Sequence, residues 1–275
     1  MTKILVVDDD RATRHILQKV LTEGGYQTTV AKDGIEALEA LGKRRFDLLL
    51  LDVWMPRMNG LELLARLRTR KRKPRVVVMT SDDAPQTLLE AVRENAFKYV
   101  HKPVDAPGLL HTLRAVLEAP ESPPIEVISA RPEWVELIVP CTRDAVDRIE
   151  AVMAHLEADL APDLRESIAY AFRELLLNAI EWGGRLDATR QVRIACLHSP
   201  RMLMYRIADP GPGFKIEDLP HAAIGQPADQ PIEHMRIREE KGIRPGGFGL
   251  LTVRASVDEL LYNEKRNEVV FVKYL

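Results

Sequence analysis

The sequence predicts two α/β domains of different kinds: a doubly wound parallel five-stranded sheet over residues 1–119, and an α/β sandwich on a largely antiparallel sheet over 128–275. Three observations carry this. In the first part, short apolar runs alternate with helix-period segments five times, as in a parallel sheet with helices on both faces. The stretch Ala119-Pro-Glu-Ser-Pro-Pro124 then breaks all periodicity and marks a stiff linker over 120–127. Beyond it, two helical segments precede several strands, so helices segregate from the sheet.

The elements follow in order. Ile4-Leu-Val-Val7 is a buried strand ending in Asp8, Asp9 and Asp10, and Ile16, Leu17, Val20 and Leu21 give the next segment helical spacing up to Gly24-Gly25. Residues 27–30 form a strand, 34–41 a helix, and 46–51 the strand that delivers Asp52 to a turn closed by Pro56 and Gly60. Residues 61–67 and 87–94 are helical, 76–79 and 99–100 are strands, and 109–118 is the last helix of this part. In the second part, 133–139 alternates as a strand, and Thr142 caps a helix running to Leu160. Pro162 opens a longer helix to Trp182, stopped by Gly183-Gly184. Strands at 191–197 and 203–208, a helix from Gly246–Gly249 to about Val257, and a hairpin of 259–262 with 268–273 around Lys265-Arg-Asn267 complete the chain.

Bulk properties exclude several classes. With 275 residues, a net charge of −2 and 29% charged residues, the chain has room for two cores and no global attraction to nucleic acid. No apolar run is long enough to cross a bilayer, and a strand begins at once without a leader-like segment, so a cytoplasmic protein is expected. Cys141 and Cys196 lack metal or redox spacing and are read as small semi-buried thiols. The basic run Arg68–Arg75 is either a nucleic-acid patch or a solvated loop; without interleaved aromatic residues, the loop is favoured.

Chemistry collects at the strand ends of the first part. Asp8 and Asp9, Asp52, Thr80 and Lys102 share one edge of the sheet. Adjacent carboxylates repel unless a cation sits among them, and a hard ion such as Mg²⁺ takes carboxylates, water and phosphate oxygens. A phosphoryl group on Asp52 needs that metal, a hydroxyl and a fixed cation. Taken together, Val6-Val-Asp-Asp9, Asp52-x-x-Met-Pro56 with Gly60, Thr80-Ser81 and Tyr99-x-x-Lys-Pro103 resemble the receiver domain of two-component response regulators. The resemblance implies Asp52 as phosphoacceptor and a Mg²⁺ held by Asp9, Asp52 and the Trp54 carbonyl, with Asp8 acting through water. It further implies Thr80 and Lys102 on the phosphoryl group, Tyr99 as switch aromatic, a cis bond before Pro103 and an upstream histidine kinase. Asn95-Ala96 departs from the family's Ala-Gly-Ala, and Trp54 flanks the attack path, where it affects dephosphorylation.

Three constellations mark the second part. Glu174 and Asn178, four residues apart on one helix face, are either a surface pair or a general base and a Mg²⁺ ligand. Asp209-x-Gly211-x-Gly213 at a strand end permits close approach of a flat ligand, whose exocyclic amine a carboxylate accepts. Gly247-Phe-Gly249 at a helix start aims bare amides at phosphate. Their order resembles the GHKL (Bergerat) ATPase fold shared by gyrase, a class of chaperones, histidine kinases and mismatch-repair ATPases, and more closely its anti-sigma-factor serine kinase branch.

That resemblance implies Glu174 as base, Asn178 as Mg²⁺ ligand, Asp209 as adenine reader, and 215–245 as a lid over ATP with Arg236, Arg238, Lys241 and Arg244 as phosphate contacts. Glu181 is read as a solvated helix end. The family implies a homodimer that phosphorylates an anti-sigma-factor antagonist of the sulfate-transporter/antagonist type and, no longer sequestered by it, then holds a sigma factor. The functional expectation is a receiver-controlled serine/threonine kinase; the alternative is a nucleotide-dependent binding module with little turnover. A hybrid histidine kinase would need a helical hairpin before the ATPase part; His155 is the sole positional choice, and the chain leaves no room for the hairpin. No recognition-helix module suggests a transcription factor.

Overall fold

The computed structural model of the chain describes all residues except 69, 71–72, 82–84, 95, 120–122, 132, 216–235 and 237–247. It divides into two compact units, Met1–Glu121 and Ser122–Leu275.

The first unit runs β1 (Lys3–Val7), α1 (Arg11–Glu23), β2 (Gln27–Ala31), α2 (Gly34–Lys43), β3 (Leu48–Asp52), α3 (Gly60–Leu67), β4 (Arg75–Thr80), α4 (Pro85–Arg93), β5 (Lys98–His101) and α5 (Ala106–Glu118). All its strands pair in parallel in the order β2-β1-β3-β4-β5. β3 is buried along its whole length, which explains an unbroken Leu run where a one-sided strand would alternate. Leu49 and Leu51 join Val76 and Val78 in the core on one face. Leu48 and Leu50 join Val77 and Met79 on the other. Asp10, Asp33, Asn59 and Asp105 cap their helices through side-chain bonds to first-turn amides.

The order reverses direction between β1 and β3, so the carboxyl ends of these two strands flank a crevice. Asp8 follows one strand and Asp52 ends the other. Two arginines of the basic run, Arg70 and Arg75, are half-buried, whereas Arg68 and Lys73 stay exposed as a solvated loop predicts. Arg68 pairs with Glu94 at 3.7 Å, and Arg70 donates to the Leu41 carbonyl at 3.0 Å. The Arg75 guanidinium donates to the Val116 and Ala119 carbonyls at the end of α5 and lies over the Phe97 ring. Asn95 falls outside the described residues.

The second unit runs β6 (Glu126–Arg131), β7 (Trp134–Pro140), α6 (Arg143–Leu156), α7 (Pro162–Asn178), a π-helical turn (Ala179–Gly183), β8 (Gln191–Ser199), β9 (Met202–Ala208), α8 (Gly249–Ser256), β10 (Glu259–Tyr262) and β11 (Glu268–Tyr274). Among the described residues the sheet is antiparallel, ordered β10-β11-β9-β8-β7-β6. Alternate residues of β7 and β9, Val135, Leu137 and Val139 with Leu203, Tyr205 and Ile207, are buried. Tyr205 stacks on Phe271 and meets Phe172 of α7.

Four local readings change. β6 was not expected: it starts inside the segment read as linker, and a register shift between Val127 and Ser129 breaks the alternation that would reveal it. The Thr142 hydroxyl is buried without a hydrogen-bond partner rather than capping α6, and Ala145 N bonds the Thr142 carbonyl at 3.2 Å. The long helix leaves α geometry after Asn178. Glu181 pairs with Arg143 at 3.1 Å and is largely buried, not solvated.

A buried acid accompanies the aromatic cluster. The Tyr205 hydroxyl donates to Glu157, which is 2% exposed. Burial pushes the Glu157 carboxyl up to about 7, against the opposing pull of the Tyr205 bond and Arg165. Because the folded state holds this proton more tightly than the unfolded one, stability falls as pH rises from about 4.5 to about 7. Glu157→Gln keeps an acceptor for Tyr205 and removes the ionisation. It is expected to stabilise the full chain at pH 8 by about 1–3 kcal/mol and to flatten this part of the pH profile, measured by urea unfolding across pH 5–8.

Candidate functional site

In the first unit, Lys102 reaches back from the end of β5 across the crevice. Its Nζ lies 2.7 Å from Asp8 Oδ2 and 2.7 Å from Asp52 Oδ2. Asp8 is fully buried and Asp52 is 6% exposed, so these are low-dielectric contacts. Burial raises the Asp52 carboxyl above the ordinary carboxylate range, and Lys102 opposes it; nearby Asp8 adds to the rise. Burial disfavours the Lys102 ammonium, but its bonds to Asp52 and Asp8 outweigh this and hold its pKa above the usual value.

Backbone contacts fix the acids. Asp10 N donates to Asp8 Oδ1 at 2.9 Å, Trp54 N to Asp52 Oδ1 at 3.3 Å, and the Arg14 guanidinium to the Asp8 and Asp9 carbonyls at 2.6 and 2.8 Å. One carboxylate oxygen each from Asp8, Asp9 and Asp52 lies within 4.8 Å of the others. An all-oxygen set of this charge, with exposed Asp9 open to water, fits a hard divalent ion such as Mg²⁺. Trp54 stands exposed beside it.

Thr80 is buried at the end of β4, and its carbonyl accepts from Lys102 N at 2.9 Å. Tyr99 packs inward against the core; its hydroxyl donates to the Leu88 carbonyl of α4 at 2.7 Å, and burial raises its pKa far above the usual phenol value. The Lys102–Pro103 bond is cis. Arg57, in the loop after Asp52, adopts a left-handed φ of 67° and pairs with buried Asp33 at the head of α2. Sequence reading assigned neither Arg57 nor Arg14; neither has a motif signal, since each acts through a contact set by the folded loops.

The second unit brings Glu174 against Gly249 and Asp209 against Gly183. Glu174 and Asn178 lie one turn apart at the end of α7, both half-buried. Gly249 begins α8 against the Glu174 carboxylate: a Cβ there would lie 2.2 Å from Glu174 Oε2. α8 has no side-chain cap, leaving its first amides without that partner. Asp209 follows β9, accepts from Gly211 N at 2.7 Å through Oδ1, and has its pKa raised by burial against the Gly211 bond.

The hairpin turn supports this loop. Asn267 Nδ2 donates to the Gly211 carbonyl at 3.2 Å and the Asp209 carbonyl at 3.4 Å, and Asp209 N donates to the Asn267 carbonyl at 2.8 Å. Gly213 has a φ of 83°, and a Cβ on it would overlap the Lys265 carbonyl, so only glycine fits. Asn267 received no role from sequence; its spacing from Asp209 exceeds any local motif. Gly247 and nearly all of the segment read as a lid, with Arg238, Lys241 and Arg244, lie outside the described residues, and Arg236 is exposed. Cys141 and Cys196 are buried and free, and burial pushes their thiols up to about 11 and about 12.

Residues 4–114 match the response regulator receiver domain family, and residues 139–273 match the histidine kinase-like ATPase domain family. The chain is a response regulator receiver domain fused to a histidine kinase-like ATPase domain. Response regulator MprA of Mycobacterium sp. (strain KMS) is 39% identical over 127 residues, covering 44% of this chain and 55% of the relative. MprA of Mycobacterium ulcerans (strain Agy99) is 41% identical over 115 residues, 42% of this chain and 50% of the relative. The chain thus spans about half the length of the curated relatives it matches.

Among solved structures, chemotaxis response regulator CheY4 of Vibrio cholerae is 33% identical over 42% of this chain and 98% of its own, with a TM-score of 0.41. Response regulator protein TrrA from Thermotoga maritima in complex with Mg(2+)-BeF is 31% identical over 42% of this chain and 99% of its own, with a TM-score of 0.39. No described helix is long and apolar enough to cross a membrane.

Two substitutions separate the candidate metal ligands from their counter-ion. Asp9→Asn is expected to weaken Mg²⁺ binding by about tenfold or more. Lys102→Ala is expected to tighten it, because the ammonium that neutralises Asp8 and Asp52 competes with the metal. Calorimetric Mg²⁺ titration of each full-length variant at pH 7.5 reads both signs.

Proposed function

We propose that this chain is a response regulator in which phosphorylation of Asp52 by an upstream histidine kinase controls a Mg-ATP-dependent serine/threonine protein kinase domain. Its substrate is an anti-sigma-factor antagonist of the sulfate-transporter/antagonist type in a partner-switching pathway. The protein works as a cytoplasmic homodimer, and phosphorylating the antagonist stops it sequestering this protein, which then holds a sigma factor. The observation that carries the kinase reading is the Glu174 carboxylate seated at the start of α8, one turn from Asn178, where a base for a serine hydroxyl is needed.

Each residue then has a task. Asp52 accepts the phosphoryl group, with Asp9 and Asp52 on Mg²⁺ and Asp8 acting through water. Lys102, already 2.7 Å from Asp52 Oδ2, and the Thr80 hydroxyl take up the phosphoryl charge. Tyr99 follows Thr80 by changing rotamer, which alters the α4 contact its hydroxyl now makes. In the second unit, Asn178 holds the nucleotide's metal and Asp209 accepts the amine of adenine. Gly211 and Gly213 let the base approach the backbone, and Gly247 and Gly249 present amides to phosphate. When bound, Mg²⁺ supplies positive charge to the phosphate oxygens at either site.

The test is γ-phosphate transfer from Mg-ATP to the antagonist, with and without beryllofluoride on Asp52. A several-fold change on adding the mimic is expected, and Asp52→Asn should remove it. Glu174→Ala is expected to cut transfer by about 10²–10⁴-fold while ADP affinity stays within about threefold. A variant as active as wild type sinks the base assignment, and ATP binding without transfer in either state identifies the binding module instead.

A further inference from the structure

The turn that follows Asn178 departs from regular helix geometry. Over Ala179–Gly183 the helix widens to π geometry, and Gly184 N donates to the Ala179 carbonyl at 2.8 Å. Arg185 and Leu186 then adopt successive left-handed conformations, with φ of 59° and 54°, although neither is glycine. Such strain persists only where the surroundings over-determine it, and π turns inside helices recur at functional sites. Here the Arg190 guanidinium donates to the Gly183 carbonyl at 3.2 Å, and Leu186 N donates to the Ile180 carbonyl at 3.1 Å.

The inserted geometry sets Gly183 against Asp209. A Cβ on Gly183 would lie 2.1 Å from Asp209 Oδ1 and 2.2 Å from its Cγ, so any side chain there displaces the carboxylate. Gly211 closes the same corner: its N bonds Oδ1 at 2.7 Å, and a Cβ on it would lie 2.9 Å from Gly183 Cα. Oδ1 is therefore walled in by two glycines and committed to an amide. Among the described residues Oδ2 accepts no hydrogen bond.

We propose that Gly183 is the specificity-determining residue of the nucleotide site, its bare Cα fixing Asp209 so that Oδ2 alone faces the base as an acceptor. This rests on reading Asp209 as the acceptor for the base's amine. An ionised carboxylate oxygen accepts and cannot donate, so it pairs with the exocyclic amine of adenine and repels the carbonyl that guanine carries at that position. Sites that commit a buried polar group in this way discriminate strongly. The π turn thus joins the two ends of the site in one backbone segment: Asn178 enters it and Gly183 leaves it against the base reader.

The test is calorimetric binding of Mg-ATP and Mg-GTP to the full-length protein. Gly183→Ala is expected to weaken ATP binding at least tenfold and to bring the ATP-to-GTP affinity ratio close to one. A merely structural role would weaken both nucleotides alike and keep the ratio. Arg190→Ala adds no atoms to the corner and frees the Gly183 carbonyl; it is expected to lower the ratio in the same direction, which covers the case in which Gly183→Ala fails to fold. An unchanged ratio in Arg190→Ala, together with an unchanged ratio or no fold in Gly183→Ala, overturns the inference. Asp209→Asn separates the underlying reading: if it binds ATP as wild type does, Asp209 is not the base acceptor. If it loses ATP while Gly183→Ala keeps its selectivity, only the role of Gly183 falls.

Discussion

One ammonium group governs the first unit. Lys102 Nζ sits 2.7 Å from two carboxylates, on Asp8 and Asp52, that belong to different strands and are almost wholly buried. Without that cation, two negative charges would share a low-dielectric crevice, an arrangement that forces one acid to take a proton. The parallel sheet with its reversal between β1 and β3 makes the crevice, and the apolar packing on both faces of β3 keeps Asp52 from retreating into solvent. One ammonium does not neutralise the three acids Asp8, Asp9 and Asp52, so the crevice keeps a net negative charge that fits a hard divalent cation.

The second unit solves a different problem with different means. Its acids lie close against glycines: Glu174 against Gly249, and Asp209 against Gly183 and Gly211. On Asp209 this arrangement commits Oδ1 to the Gly211 amide and leaves Oδ2 without a hydrogen bond among the described residues. Away from the helices, the sheet carries the pairs Arg193–Glu136 at 2.6 Å and Arg206–Glu268 at 2.7 Å, which are partly exposed and contribute little to stability.

Most of this architecture is legible in the sequence because it rests on strong local patterns. Continuous apolar runs such as Leu48–Leu51 announce strands buried on both faces, and acids or glycines just after them announce the sites. What stays hidden depends on contacts distant in sequence. The strand Glu126–Arg131 lies at a sheet edge, half exposed and broken by a register shift, so it shows no clean alternation. Gly183-Gly184 reads as a helix stop, because the residue that gives it meaning, Asp209, arrives only after two further strands. The grip of Lys102 on Asp8 is likewise invisible: a lysine before a proline suggests a phosphate partner, not a bridge between two acids.

The fate of Arg75 shows what a basic run can conceal. It opens β4, the strand that ends at Thr80, and its guanidinium holds the last carbonyls of α5. A single extended segment is therefore anchored at one end to the crevice that Lys102 bridges and at the other to the final turn of the helix that leads out of the unit. Hydrogen-bonded to β3 and β5 along its length, β4 thus ties two places far apart in sequence, the crevice and the last turn of α5, into one extended strand.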